Sequence, residues 1–217
     1  MNKSKVILGS GGHASVLVDI LQQKGIALDA VISPQMEQLR AIFKGIAIIA
    51  EDVFTSKPRP DFFSLINGLG SIPGNTLRFE LYQKYIGLGF SFYTVTSPYA
   101  VISDHAELAM GVQVMPGAII QIGAYVGENS IINSGAIIEH DCRIGNHNHI
   151  APSATLCGGV VTGKNVHVGT GATVIQGVHL DDGVVVAAGA IVNKDVPKNH
   201  IIYPGKGLLR NLRDIYE

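Results

Sequence analysis

From about residue 100 to residue 197 the chain repeats every six residues without an insertion. Written in hexads it runs ISDHAE, LAMGVQ, VMPGAI, IQIGAY, VGENSI, INSGAI, IEHDCR, IGNHNH, IAPSAT, LCGGVV, TGKNVH, VGTGAT, VIQGVH, LDDGVV, VAAGAI, VNKDVP. The first column, from Ile102 to Val192, is aliphatic in fifteen of sixteen places, and only Thr162 departs. The fifth column, from Ala106 to Val196, holds small residues or valine, with Cys142 and Asn148 among them. This period predicts a parallel β-helix. The first-column side chain points into a prism-shaped core. The fifth sits near a corner, where bulk would clash. Glycine and asparagine serve the turns, where positive φ costs them little. Three hexads, about eighteen residues, make one coil, and a solenoid of such coils needs caps. The tail NHIIYPGKGLLRNLRDIYE, with a Pro-Gly turn and a short helix, is expected to close one end.

Residues 1–97 lack the hexad and read as a small α/β domain, with the boundary near Ser97-Pro98 and the β-helix domain over 98–217. Strands are expected at 5–9, 27–33, 45–50, 61–67 and 92–98. One helix is expected from His13 to Lys24, with Val16, Leu17, Ile20 and Leu21 on one face and Gly25 as its stop. A second is expected after Asn75, with Leu77, Leu81 and Tyr85 inward.

Composition removes several function classes. The net charge is −1 and only 15% of residues are charged, so no basic excess points to nucleic acid or a membrane surface. No apolar run approaches the length of a membrane span. The opening MNKSKVILGSGG meets glycine too soon for a secretory leader. Two cysteines, Cys142 and Cys157, do not make a disulfide framework, and a cytoplasmic location is expected.

Two stretches carry chemistry. GSGGHA, residues 9–14, joins a strand to a helix. Gly9, Gly11 and Ala14 have the spacing of a phosphate-binding turn, in which glycines let backbone N–H groups approach a diphosphate. A dinucleotide site would want an acidic residue at the end of the second strand, where this chain has Ser33-Pro34. A nucleotide diphosphate on another ligand and a turn needed only for packing both remain open. His13 is a possible further contact to phosphate. The second stretch is IIEHDCRIGNHNHIAP, residues 137–152. His140 is third in its hexad, off the inward column, and Asp141 follows it. A carboxylate beside an imidazole fixes its tautomer and stabilises the imidazolium, which suits a general base. Taken alone, the pair reads more readily as a solvated turn. A zinc site needs three protein ligands with an open place. His149 and His167 stack one coil apart, but a third ligand within the chain is not found, so no metal is expected. Cys142, in the corner column, reads as packing rather than as a nucleophile.

Nearly the whole chain resembles the NeuD/PglD-type sugar acetyltransferases, left-handed β-helix enzymes of hexapeptide repeats. The resemblance rests on VILGSGGHASVLVDIL, TSPYAVIS, INSGAIIEHDCRIGNHNHIAPSATLCGGV and the closing YPGK. It implies the handedness. It also implies an acetyl-CoA-dependent N-acetyltransferase acting on a nucleotide-activated amino sugar for bacterial glycan synthesis, a UDP-linked 4-amino-4,6-dideoxy sugar being favoured. His140 would be the general base and Asp141 its orienting acid. Asn133 would lie near the amino sugar. Gly9, Ser10, Gly11, Gly12 and His13 would hold the nucleotide diphosphate. His149 and Gly158 would line the acetyl-CoA site, the Gly158 N–H facing the thioester carbonyl. Ala188, Gly189, Pro204 and Lys206 would border the CoA nucleotide. A homotrimer with its sites between subunits is implied. O-acetylation of a sialic-acid-type sugar and a non-catalytic scaffold are the alternatives. Relatives that bind a UDP-sugar often have acidic residues where Ser33-Pro34 stands.

Overall fold

The computed structural model describes residues 3–33 and 40–205. Lys206, the expected C-terminal helix and Pro34 lie outside the described residues.

The N-terminal unit is an all-parallel sheet with helices packed on it. Its strands are β1 (Ser4–Leu8), β2 (Ala30–Ile32), β3 (Ala47–Ile49), β4 (Phe63–Asn67) and β5 (Ser91–Phe92), in the order β3-β2-β1-β4-β5. The helices are α1 (Gly12–Gln23), α2 (Glu51–Ser56) and α3 (Leu77–Gly87). The order reverses beside β1, so the loops after β1 and β4 flank a switch point, where open α/β sheets take ligands. Gly68 closes this corner. A Cβ there would come 2.5 Å from the Leu8 carbonyl and 2.9 Å from Ala14 Cβ.

The helix faces differ from those expected. Val16 is 41% exposed, while Ala14 and Val18 are buried with Leu17, Ile20 and Leu21. On α3, Leu77 is 53% exposed, and the buried residues are Arg78, Tyr82 and Tyr85. The apolar-period reading assigned the inner face to Leu77, Leu81 and Tyr85, of which Tyr85 is buried. In fact α3 lies over a polar seam, where Arg78 finds carbonyl partners. The single strand expected at 92–98 is split: Phe92 ends the first sheet and Val95–Thr96 begins the solenoid.

The rest is a left-handed parallel β-helix. Two-residue strands alternate with turns, and successive coils pair in register, as in Ile119↔Ile137 and Ile137↔Thr155. They form sheets of six, five and seven strands, the three walls of a prism. The first and fifth columns meet inside as one continuous core from Val112 to Val196. Burying each Val, Ile or Leu side chain there contributes about 1.5–3 kcal/mol. Thr162, the departure in the first column, meets Asn148 of the fifth inside that core. Asn148 Nδ2 donates to Thr162 Oγ1 at 2.5 Å and to the Gly163 carbonyl at 3.0 Å, while Asn148 Oδ1 takes the Val166 N–H at 2.6 Å. A buried amide so satisfied is tolerated where an unpaired one would not be.

The three walls have different outer surfaces. One carries Gln113, Ile131 and His149 and is covered by the α/β unit. One carries Glu107, Tyr125, Arg143, Val161 and His179. The third presents Val101, Ile119, Ile137, Thr155, Thr173 and Ile191, all β-branched and uncharged. These walls are called covered, polar and bare below.

Candidate active site

His140 and Asp141 form the turn between the bare wall and the polar wall. Asp141 adopts φ 60°, the left-handed conformation of the hexad's fourth column, which aspartate tolerates. His140 Nδ1 lies 2.9 Å from Asp141 Oδ2. That contact puts the neutral ring's proton on Nδ1 and leaves Nε2 as a lone pair. The pair stands proud of the surface, with the His140 side chain 60% exposed. Under the ring, one coil on, lies Gly158. A Cβ at Gly158 would come 2.5 Å from His140 Nε2. The Gly159 N–H donates to the His140 carbonyl at 2.9 Å, which ties the two turns together.

Cys142 is buried, and its S–H donates to the Cys157 carbonyl at 3.2 Å. Burial pushes its thiol up to about 11, which disfavours a nucleophilic thiolate.

Asn133 and His149 lie on another edge. Asn133 follows a covered-wall strand and precedes a bare-wall strand, and His149 stands on the covered wall. Asn133 Nδ2 lies 3.0 Å from His149 Nε2, and Asn133 Oδ1 takes the Ser134 N–H at 2.8 Å. His149 Nδ1 donates to the Ser71 carbonyl at 2.9 Å. Both His149 nitrogens are thus engaged, and its buried ring ties the loop after β4 to Asn133. Burial and the neighbouring His167 lower its pKa to about 4. The His149 and His167 rings meet edge-on, 4.9 Å apart. Ala188 and Gly189 form a turn on the same edge as Asn133, two coils beyond the turn at Pro152-Ser153, and Pro204 follows the last covered-wall strand.

The glycine loop behaves as a tight strand–helix connection. Gly9 has φ 93°, and its N–H donates to the Ile32 carbonyl at 2.7 Å. Ser10 and Ser33 hydroxyls lie 2.9 Å apart. Gly11 is the N-cap of α1, with nothing near the position its Cβ would take, and Gly12 faces Arg40. His13 turns one ring nitrogen to the solenoid. Its Nε2 is 2.7 Å from Gln113 Oε1.

Sequence reasoning missed the seam behind this loop. Arg78 donates to the carbonyls of Asn67, Leu69 and Asn129 and to Gln113 Oε1. Gln113 Nε2 donates to the Asn67 carbonyl at 2.7 Å, and Asn67 Nδ2 reaches Asn129 Oδ1 at 3.1 Å. Burial lowers the Arg78 pKa to about 9. A glutamine in an outward column gave no distinguishing signal, because most outward residues of a solenoid meet water.

A cavity of about 520 Å³ opens between the loop after β4, the start of α3 and the solenoid, with Phe79, His147, Lys164, His167 and Asp182 in its wall. His140, Asp141, Asn133 and Gly158 do not line it. Among the described residues, no helix is long and apolar enough to cross a membrane.

Residues 123–158 match the bacterial transferase hexapeptide (six repeats) family. A search of curated protein sequences finds no match. Among solved structures, the chain is similar to perosamine N-acetyltransferase (PerB) of Caulobacter crescentus, solved in complex with CoA and GDP-perosamine. The identity is 33%, the TM-score 0.82, and the alignment covers 94% of this chain and 95% of that one. It is also similar to the acetyltransferase domain of PglB from Neisseria gonorrhoeae in complex with acetyl coenzyme A, at 26% identity and TM-score 0.85, over 96% of this chain and 100% of that one. WeeI of Acinetobacter baumannii shares the fold at 22% identity and TM-score 0.77, over 93% and 97%. This chain belongs to the left-handed β-helix, hexapeptide-repeat family of sugar acetyltransferases.

Proposed function

We propose that the protein transfers the acetyl group of acetyl-CoA to the amino group of a nucleotide-linked amino sugar, with His140 as general base. The observation that carries this reading is the His140–Asp141 pair. It is exposed on a prism edge, with its free Nε2 directly over Gly158. The amine nitrogen attacks the thioester carbonyl carbon as His140 Nε2 takes its proton. The C–S bond then breaks, and the proton passes to the departing thiolate. Asp141 stabilises the imidazolium formed in between. The Gly158 N–H is our candidate donor to the oxyanion.

We further propose a homotrimer. His140 and Gly158 stand on one edge of the bare wall, and Asn133, Ala188 and Gly189 on the other. A site using both sets needs two copies. The bare wall supports this, since a column of six β-branched uncharged residues is an unusual surface for water and a good one for packing. A site shared in this way also accounts for the cavity of a single chain lying elsewhere. Two free cysteines suit a reducing cytoplasm, where an amino-sugar nucleotide would be acetylated for glycan synthesis.

The test is release of CoA thiol from acetyl-CoA with a panel of acceptors. GDP-perosamine comes first, because PerB binds it. UDP- and dTDP-linked 4-amino-4,6-dideoxy sugars and free sialic acid complete the panel. Release with one nucleotide amino sugar, reduced about 10²–10⁴-fold in His140→Ala, is expected. Release only with sialic acid would move the reading to O-acetylation. Silence across the panel, or full activity in the variant, would overturn it.

A further inference from the structure

The Gln113 side chain sits in the seam between the two units, and its amide fits only one way round. Its Nε2 lies 2.7 Å from the Asn67 carbonyl, which can only accept. Its Oε1 lies 3.2 Å from Arg78 Nη2, which can only donate. The oxygen therefore also faces His13, whose Nε2 is 2.7 Å away and must carry the proton. In the neutral ring the other nitrogen, Nδ1, is then an acceptor. Burial, first, and the charge of Arg78 hold the ring neutral, with its pKa lowered to about 4. Among the described residues nothing bonds Nδ1, and it is not one of the buried side-chain atoms left unpaired. Nδ1 is therefore not fully sealed from solvent, at the first turn of α1 and beside Gly70 of the loop after β4.

We propose that His13 accepts a hydrogen bond from a hydroxyl group of the nucleotide sugar, rather than donating one to its diphosphate. This rests on reading the Gly9–His13 loop as the nucleotide-sugar site. A diphosphate diester is an acceptor and offers nothing to a lone pair. Its charge would face an Nδ1 that repels it. A ribose or hexose hydroxyl has the proton that Nδ1 lacks. The loop then divides its work, with backbone N–H groups at the start of α1 for the diphosphate and His13 for the hydroxyl. Arg78 acts at one remove, because its bond to Gln113 Oε1 fixes the amide that fixes the His13 tautomer.

The experiment is long-range ¹H–¹⁵N spectroscopy of the histidine rings in the full chain, with His13→Asn identifying the signal. In the free protein, Nε2 of His13 is expected to carry the proton at neutral pH and Nδ1 none. Adding GDP-perosamine or a UDP-linked 4-amino-4,6-dideoxy sugar should move the Nδ1 resonance upfield while it stays unprotonated. A move already present with GDP or UDP assigns the hydroxyl to the ribose, and one seen only with the complete nucleotide sugar assigns it to the hexose. Gln113→Glu gives a second, sign-based readout. A carboxylate there favours the imidazolium and puts a proton on Nδ1. The proposal expects KM for the nucleotide sugar to rise roughly tenfold, whereas a phosphate contact would lower it. Turnover of nucleotide sugars with Nδ1 unmoved or protonated, or a lowered KM in the variant, overturns this proposal alone. Failure of every nucleotide sugar to bind or react overturns the site reading, and this proposal with it.

Discussion

Gly158 lies against the His140 imidazole so closely that a Cβ would come 2.5 Å from Nε2. The backbone at Gly158 is not left-handed, so alanine is conformationally allowed there. The ring must then move, and being largely exposed it can do so cheaply. Gly158→Ala is expected to fold with stability changed by no more than about 0.5 kcal/mol. Its kcat should fall about 10- to 100-fold, because the base leaves its line of attack. Steady-state kinetics beside a thermal melt checks both, and an unchanged kcat would remove Gly158 from the site.

Arg78 is a buried cation whose partners are neutral carbonyl oxygens rather than a carboxylate. Arg78→Met keeps the bulk but takes the donor from the Leu69 and Asn129 carbonyls, while the Asn67 carbonyl and Gln113 Oε1 keep their bonds to Gln113 Nε2 and His13 Nε2. Each unsatisfied group costs about 1–3 kcal/mol, so a loss of about 2 kcal/mol or more is expected in urea unfolding. Arg78→Lys should recover only part, since an ammonium cannot reach both the Asn67 and Asn129 carbonyls at once. A variant as stable as wild type would show that the seam is not structural.

Stability should fall on mild acidification. His13 and His149 are lowered from 6.5 to about 4 in the folded state, chiefly by burial. Unfolded, they take up protons near pH 6.5; folded, they resist until about pH 4. Stability is therefore full above pH 6.5 and is lost as pH falls from there towards 4. Urea midpoints at pH 7 and pH 5 should differ, and His149→Gln, which keeps a donor and an acceptor, should flatten the slope. A pH-independent midpoint over this range would contradict the buried neutral rings.

The bare wall ends in Val101, 65% exposed, and Ile191, 71% exposed, with Thr155 midway along its column. A charge at Thr155 would be desolvated by any partner copy. On the proposed trimer, Thr155→Arg is expected to give a monomer in sedimentation velocity, with the circular dichroism unchanged and acetyl transfer lost. A wild-type monomer, or an active monomeric variant, would refute the shared site.

Much of this molecule was legible in one dimension. The hexad is self-reporting because every coil repeats the same steric problem. An aliphatic residue is needed inside, a small one at the corner, and a residue that accepts positive φ at the turn. That also placed His140 and Asp141 on an outward edge. One exception was visible: Thr162 broke its column, although nothing in the sequence said that it would bond to Asn148 of the fifth column. On the helices the reading was weaker. Val16 and Leu77 follow an apolar period yet face water, because the surface that each helix meets is set by another part of the chain.

The sequence by itself determined the solenoid, the α/β unit ahead of it, and the exposed His-Asp pair, since each follows from local chemistry repeated or clustered along the chain. Only the tertiary structure decided the seam. His13 meets Gln113 across 100 positions of sequence, and His149 meets Ser71 across 78. Hydrogen-bond direction there is fixed by groups that can only donate or only accept. Those groups come from separate segments that fold together, and no local pattern encodes which of them will meet.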